Sequence, residues 1–511
     1  MMRPGPSAGD VPRLGKIVDA ILRIADMDFN PDLKPSSQRD EIDAIMVGIN
    51  SMAAELQDTY ETLDRRVAER THMLELARDQ METLAYTDPL TQLANRSALT
   101  REINNAISTM AVNETTPVVM LLDLDSFKSI NDTYGHDMGD QVLRRLAERL
   151  RDSVRSADVI ARLGGDEFAL LVNVDKHTAM DLARRIVQAM NEVMVIDGVH
   201  LSPSSSLGFT WLRIDDATEQ QVLLEADTAM YIAKRSATES VIEFEPYMLH
   251  ERMQRAAMVT DLHSALKNNE FIPYYQSLVS LQDEALNGAE ILVRWQREGH
   301  GLVGPGEFLE VAEESGLIWY LTEHLLYRAL DDLARWRSLG LVDEKFKIHL
   351  NVTSRELHRL GFPDLIREAL RQHDLPGTVL ALEITENRLM SGDSLHQYAL
   401  LALKNMGVDV YIDDFGIGYS SIGYLAQLPV AGVKIDKSLV DGISSDAKKR
   451  RFLAAISGLI NACELQCVVE GIETTAQAAE LLAIGFTDGQ GFLYDRPVGE
   501  ADFTLMLRSR A

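Results

Sequence analysis

The sequence predicts a multidomain chain: an N-terminal helical and coiled-coil module, an α+β domain, and an α/β barrel of TIM type. Three patterns lead there. Residues 15–29, "GKIVDAILRIADMDF", and 42–57, "IDAIMVGINSMAAELQ", carry apolar residues at helical spacing on either side of a polar connector. Between about 87 and 245, short apolar strands alternate with helices. From 270 onward, strand-like apolar runs close on polar side chains, with helical segments between several of them.

At 511 residues the chain is too long for one ordinary domain. Hydrophobic residues at 46% and charged residues at 25% give globular composition. The net charge of −28 argues against nonspecific binding to a nucleic-acid polymer or an anionic membrane surface. It leaves room for anionic small molecules, because metal ions invert the local field. Two cysteines, Cys463 and Cys467, support neither a disulfide framework nor a four-ligand zinc site. No apolar run reaches the length of a membrane span and the start lacks a signal-peptide core, so a cytoplasmic protein is expected.

In order along the chain, residues 1–14 read as a flexible N-terminus. The helix–connector–helix of 15–57, with Asp40, Glu41 and Ile42 opening the second helix, resembles a HAMP signalling module; a plain helical hairpin fits the same spacing. The second helix continues over 58–86 as a signalling coiled coil. There, and in the turn before it, Leu56, Tyr60, Leu63, Val67, Leu74, Met81 and Leu84 recur at steps of three, four or seven, with a break at Arg70 and the small Ala77 in a weak slot. One amphipathic helix packed on its own domain is the plain alternative; a parallel homodimer is preferred, because the seam runs directly into the next domain. The module has no haem, flavin or chromophore site, so it either relays the signal of an upstream partner or merely dimerises.

In residues 87–245, "VVMLLDLDSF" is a strand-like run that ends at Asp123 and Asp125, and "VIARLGGDEFALLV" reads as two strands around a glycine turn. If these strands are neighbours, Asp123, Asp166 and Glu167 make a hard-oxygen site suited to Mg²⁺. Strand-end acids alone are commonly solvated. The ordered set "TDPLTQLANR" (87–96), "DLDSFKSINDTYGHDMGD" (123–140) and "GGDEF" (164–168) resembles a GGDEF diguanylate cyclase domain, which is palm-like and condenses two GTP to cyclic di-GMP. The resemblance implies metal binding by Asp123, Asp166 and the carbonyl of Leu124, and guanine recognition by Asn131 and Asp140. It implies a catalytic place for Glu167 near the ribose hydroxyl, phosphate contacts from Lys128 and Lys234, and a product-inhibition site at Arg155 and Asp158. Helix capping is the plain alternative for Asn131 and Asp140, and a local ion pair for Arg155 and Asp158. One departure stands out: the family's Gly-Arg or Gly-Lys pair is Ala237-Thr238 here, and Thr238 supplies no cation for phosphate.

A polar linker helix over 246–269 leads to the second chemical region, 270–511. "FIPYYQSLVSL", "AEILVRW" and "GEFLEVAEESGLI" resemble the start of an EAL cyclic di-GMP phosphodiesterase domain. Two glutamates compete for the motif position. Counting from Gln276, it falls on Glu290, and the literal Glu284-Ala285-Leu286 belongs to the preceding turn. Further runs, "FKIHLNVTS", "VLALEITE", "VDVYIDDFG", "AGVKIDKS", "QCVVEGIE" and "TDGQGFLY", end in oxygen donors more often than solvation explains. The resemblance implies a two-metal cage for Mg²⁺ or Mn²⁺ from Glu290, Asn351, Glu383, Asp413, Asp414 and Glu470. It implies that Lys434 positions the nucleophilic water, Arg294 meets substrate phosphate, Gln490 lines the site and Glu386 braces the loop after the "DDFG" strand. For Lys434 alone, an ion pair with Asp436 is the plain alternative. Ile291 replaces the usual alanine and Ser277 a common proline, and neither supplies a ligand.

The expected function is therefore a bifunctional enzyme that makes cyclic di-GMP from GTP and hydrolyses it to pGpG, with catalytic roles for Glu290, Lys434, Asp414 and Glu470 in the hydrolase. A phosphodiesterase with a GTP-binding regulatory GGDEF domain, and a silent cyclic di-GMP receptor, remain the alternatives.

Overall fold

The computed structural model describes residues 11–510 except 38, 110–115, 176–177, 214–217, 237, 386–393 and 417–427. Contacts divide it into two compact units, Met1–His250 and Glu251–Ala511. Among the described residues no helix is long and apolar enough to cross a membrane.

The first unit opens with helices α1 (Val11–Ala25) and α2 (Glu41–Tyr86). Ile17 and Ala20 of α1, Leu33 of the connector and Met46 and Ile49 of α2 bury one another. Asp40 caps α2 by accepting from the Asp43 amide, in a reciprocal capping box with Asp43. Arg13 ties the start of α1 to this cap, its Nη1 2.6 Å from Asp40 and its Nη2 2.5 Å from Asp43. Residues 11–14, within the stretch expected to be flexible, already belong to α1. α2 then runs unbroken through Arg70 for 46 residues, about 69 Å at 1.5 Å per residue.

The α+β part is a sheet of β1 (Ala94–Asn95), β2 (Pro117–Asp125), β3 (Val159–Gly164), β4 (Glu167–Asn173), β7 (Ser204–Trp211) and β8 (Val241–Glu243), in the order β1-β3-β4-β2-β7-β8. β5 (Met194–Ile196) and β6 (Val199–Leu201) form a separate hairpin. Central β2 is apolar on both faces because helices cover both. Val118, Met120, Leu122 and Leu124 join one core with α5 (His136–Ser153) and α6 (Ala179–Asn191). Val119 and Leu121 join the other, with α3 (Arg96–Thr109) and α7 (Glu219–Arg235). The period of two places Asp123 on the α7 side.

After α8 (Pro246–Lys267), the second unit is a closed eight-stranded barrel of TIM type. Its strands are β9 (Phe271–Ser280), β10 (Leu286–Arg297), β12 (Lys347–Asn351), β13 (Leu380–Thr385), β14 (Asp409–Phe415), β15 (Gly432–Ile435), β16 (Gln466–Val469) and β17 (Asp488–Gly489). Short β11 (Gly301–Val303) extends β10, and β18 (Val498–Gly499) pairs with β9. From β10 to β17 the barrel neighbours are parallel, but β9 is antiparallel to both β10 and β17. The reason is local: five residues, 281–285, join β9 to β10, and a parallel connection needs a dozen or more. Ile348, Leu350, Leu382, Ile384, Val410, Ile412, Val433 and Val469 point outward into one core with the surrounding helices. The alternate positions face the interior.

Candidate active site

That inward parity carries Asn351, Glu383 and Asp413 of the expected donors; Asp414, the next residue, does not share it. Asn351 is in register with Glu383, and Asp413, in register with Thr385, lies one inward step further along its strand. Glu290 lies mid-strand, not at a strand end, because β10 runs on past the barrel as a hairpin with β9. Glu290, Glu383, Lys434, Gln490 and Gln276 are all buried.

Lys434 organises the cluster. Its Nζ lies 3.0 Å from Glu290 Oε2, 2.9 Å from Glu383 Oε1 and 2.5 Å from Glu470 Oε1. A lysine this deep persists only because carboxylates surround it, so the ion pair expected as the alternative, with Asp436, is replaced by a triple one; the Asp436 side chain instead caps a short helix by accepting from the Ser438 amide. Glu290 is held from two further sides: Asn351 Nδ2 donates to Oε1 at 2.7 Å and Gln490 Nε2 to Oε2 at 2.8 Å. Gln490 also donates to Gln276 Oε1 at 2.9 Å, and Gln276 in turn to the Asp495 carbonyl at 3.1 Å. Sequence reasoning used Gln276 only as a counting mark. It also missed His349, whose Nδ1 is 2.9 Å from Glu383 Oε1; its position two before Asn351 on an inward parity was the available signal.

The electrostatics are those of crowded acids. Burial pushes the Glu383 carboxyl well above its ordinary range and Glu470 up to about 8, each only partly offset by Lys434. Burial also raises Asp413 and, with repulsion from Asp413, raises Asp414. Glu290 is the exception: burial raises it, but Lys434, Gln490 and Asn351 together outweigh that and hold it below the usual value. Burial keeps the His349 imidazole neutral, its pKa down to about 3. Asp414 adopts a left-handed φ of 54°, an uncommon backbone for a non-glycine that sits here beside the acid pair.

Do these residues fit divalent cations? Among the described residues no three acidic, His or Cys side chains already surround one point as a ligand shell. The ammonium of Lys434 gives three of the carboxylates a counter-charge. The donor set is nonetheless all hard oxygen, the acids outnumber the single lysine, and the buried Oε2 of Glu383 has no hydrogen-bond partner. The chemistry fits Mg²⁺ or Mn²⁺. A cleft of about 280 Å³, lined by Glu290, Asp413, Glu470, Gln490 and Phe492 among others, opens over the cluster. Arg294 is half-buried, which lowers its pKa, and its guanidinium lies 5.4 Å over the Tyr274 ring. Glu386 lies outside the described residues. Glu284 occupies the β9–β10 turn with φ 58°, exposed and away from the donors.

In the first unit, antiparallel pairing sets Asp123 of β2 opposite Glu167 of β4. Gly164 and Gly165, with φ of 148° and 52°, make the turn that carries Asp166. Burial raises the Asp123 carboxyl, Lys234 of α7 pairs with it and lowers it, and Asp166 raises it again. Burial and the charges of Asp123 and Asp227 raise Glu167, with Arg96 3.9 Å away. Leu124 faces the opposite core, so only its carbonyl is available to a ligand. Asn131 lies in α4 (Phe127–Tyr134) and Asp140 in α5; neither caps a helix, which removes the capping alternative. The Asn131 amide packs so closely over Gly139 that a Cβ there would lie 2.0 Å from Oδ1. Lys128 is exposed. Asp158 accepts from the Arg155 backbone amide at 2.9 Å, closing its own turn.

Comparison with known proteins bears on these sites. Residues 13–58 match the HAMP domain, 85–240 the diguanylate cyclase GGDEF domain and 259–497 the EAL domain. A bifunctional diguanylate cyclase/cyclic di-GMP phosphodiesterase, MucR, of Pseudomonas aeruginosa is 36% identical over 85% of this chain and 64% of its own length. The cyclic di-GMP phosphodiesterase NbdA of the same organism is 34% identical over 87% of this chain and 58% of its own. An uncharacterized protein of Mycobacterium bovis is 35% identical over 85% of this chain and 70% of its own. The chain thus spans less than two thirds of the first two relatives.

Proposed function

We propose a function on the premise that the chain belongs to the tandem GGDEF–EAL family, with a HAMP domain ahead of the pair: its barrel is a metal-dependent phosphodiesterase that opens cyclic di-GMP to pGpG. The observation that carries this reading is the convergence of Glu290, Glu383 and Glu470 on Lys434, with Asn351 and Gln490 locking Glu290. Both Pseudomonas aeruginosa relatives carry phosphodiesterase in their names.

Glu290, Asn351, Glu383, Asp413, Asp414 and Glu470 would hold Mg²⁺ or Mn²⁺. Bound there, the cations would lower the pKa of a water and neutralise phosphate charge. The chain's own residues do the rest. Asn351, Gln490 and Lys434 fix the rotamer of Glu290 before substrate arrives, the preorganisation on which such chemistry depends. Lys434 holds the acids together and would position the nucleophilic water. Arg294 offers its guanidinium to a phosphate. Hydrolysis joins that oxygen to one phosphorus, breaks the bond to the ribose 3′ oxygen, and passes a proton to the departing oxygen. Incubating the purified protein with cyclic di-GMP and Mg²⁺ and resolving nucleotides by chromatography tests it: pGpG formation that a chelator stops supports the reading, and persistent substrate refutes it.

For the first unit we propose GTP condensation to cyclic di-GMP, in a reducing cytoplasm and as a homodimer. Asp123, Asp166 and the Leu124 carbonyl would hold metal; Asn131 and Asp140 would take guanine, Glu167 would sit near the ribose, Lys128 and Lys234 would meet phosphate, and Arg155 with Asp158 would bind product. The pairing of Lys234 with Asp123 supports a site that gathers charge for a nucleotide. One observation favours a second reading, in which this domain binds GTP as a regulator: Thr238 replaces a cation, and its amide is engaged by Ser236 Oγ at 3.3 Å. Cyclic product from GTP in a Glu290→Ala background separates the two.

A further inference from the structure

The interior of the barrel is layered. Above lies the polar cluster of Glu290, Glu383, Lys434 and Gln490; below it, Leu278, Ala381, Tyr411 and Val468 form a small apolar group of their own. His349 stands at the junction. It shares the inward face of β12 with Asn351, is 4% exposed, and meets the Tyr411 ring in a tilted contact, 5.1 Å between centroids. Its Nδ1 lies 2.9 Å from Glu383 Oε1, the oxygen that Lys434 Nζ also approaches at 2.9 Å. Where Glu383 is ionised beside Lys434 it only accepts, and Nδ1 is then the donor. Glu383 Oε2, buried as well, has no hydrogen-bond partner.

His349 also lines a cavity of about 510 Å³ beneath the barrel, together with Lys347, Tyr411, Gln466 and Asp488. Lys347, Gln466 and Asp488 begin their strands, so this cavity is at the amino-terminal mouth, the end opposite the donor cluster. One ring therefore touches a donor carboxylate on one side and a solvent-sized space on the other.

We propose that His349 is a positioning residue for the hydrolase: by fixing Oε1 of Glu383 it leaves Oε2 as the free oxygen for a divalent cation, and its ring is reachable from the amino-terminal cavity. Outer partners of this kind orient a ligand oxygen without touching the metal. The inference rests on the proposed hydrolase reading.

The test is Mn²⁺ binding by the chelator-treated full-length protein, followed by calorimetry, in wild type, His349→Ala and His349→Gln, with and without millimolar imidazole. His349→Ala should bind Mn²⁺ roughly 10–100-fold more weakly. His349→Gln, which keeps an N–H donor, should retain most of the affinity, and imidazole entering from the cavity should restore His349→Ala while leaving wild type unchanged. Unaltered affinity in His349→Ala, or a loss that neither glutamine nor imidazole repairs, overturns the inference and leaves His349 as core filling. A wild type that binds no Mn²⁺ refutes the hydrolase reading instead. A nitrogen-15 spectrum of the metal-free wild type then still decides the local claim: a hydrogen on Nδ1 upholds it, and its absence overturns it. Should His349→Ala fail to fold, the glutamine variant and that spectrum carry the test.

Discussion

Buried alone, the ammonium of Lys434 would be costly; ringed by Glu290, Glu383 and Glu470 at 3.0, 2.9 and 2.5 Å it becomes the counter-charge of the whole cluster. Lys434→Met should therefore cost roughly 3–5 kcal/mol in metal-free protein, the range for breaking a buried pair, as read by urea unfolding. Mn²⁺ should recover part of that loss, since a cation replaces the missing charge; no recovery would speak against cation binding. At position 290, Glu290→Ala should reduce hydrolysis by more than about 100-fold, beyond the range for outer partners. Glu284→Ala, in an exposed turn, should leave it unchanged. pH reads the same balance. The folded pKa of Glu470 is raised to about 8, so its contribution is fully present below its unfolded value and lost as pH rises through 8. Glu383, Asp413 and Asp414 shift the same way, whereas Glu290 and the His349 imidazole, both lowered, oppose them below the ordinary histidine value of 6.5. With chelator, the melting temperature should fall between about pH 5 and 8; with Mn²⁺ that decline should flatten, because binding keeps the acids ionised.

Strands convert these residues into a site. Alternation with a period of two sends Ile348, Leu350, Leu382 and Ile412 outward and leaves Asn351, Glu383 and Asp413 inward, with Asn351 and Glu383 in register and Asp413 one inward step further along. That alternation, and the polar residues near the strand ends, were legible in the sequence. Glu290 was legible only through its distance from Gln276, because it sits mid-strand with apolar residues around it. The inverted β9 was readable in principle from a five-residue connector that no parallel crossover could use. His349 was signalled only by its inward parity, two before Asn351; its partner Glu383 lies on another strand and could not be read. The Lys434 triad was hidden for the same reason: Asp436 was its near neighbour in sequence, and the true partners lie on other strands. Close packing here is testable at Gly432, where an added Cβ would meet the Tyr411 ring at 2.5 Å and the Gln466 carbonyl at 2.7 Å. Gly432→Val should destabilise the barrel by roughly 1–3 kcal/mol, the usual cost of overpacking.

Along the whole molecule, α2 presents Leu56, Tyr60, Leu63, Val67, Leu74, Met81 and Leu84 to solvent, 41–78% exposed. A 46-residue helix with an open apolar seam is unusual for a lone chain and ordinary for one strand of a coiled coil. We expect a dimer in sedimentation equilibrium, and Leu63→Asp with Val67→Asp should shift it toward monomer; a wild type that stays monomeric would remove the coiled-coil account. Because two GTP must meet to form a two-fold product, the same pair of changes should depress any cyclic product from GTP while sparing hydrolysis of added cyclic di-GMP. The account as a whole stands on oxygen donors gathered by the barrel around Lys434. Its most direct test is the product formed from cyclic di-GMP with Mg²⁺ by wild type and Glu290→Ala side by side. Linear pGpG from wild type alone is the predicted result; no product from wild type, or equal product from both, would contradict it.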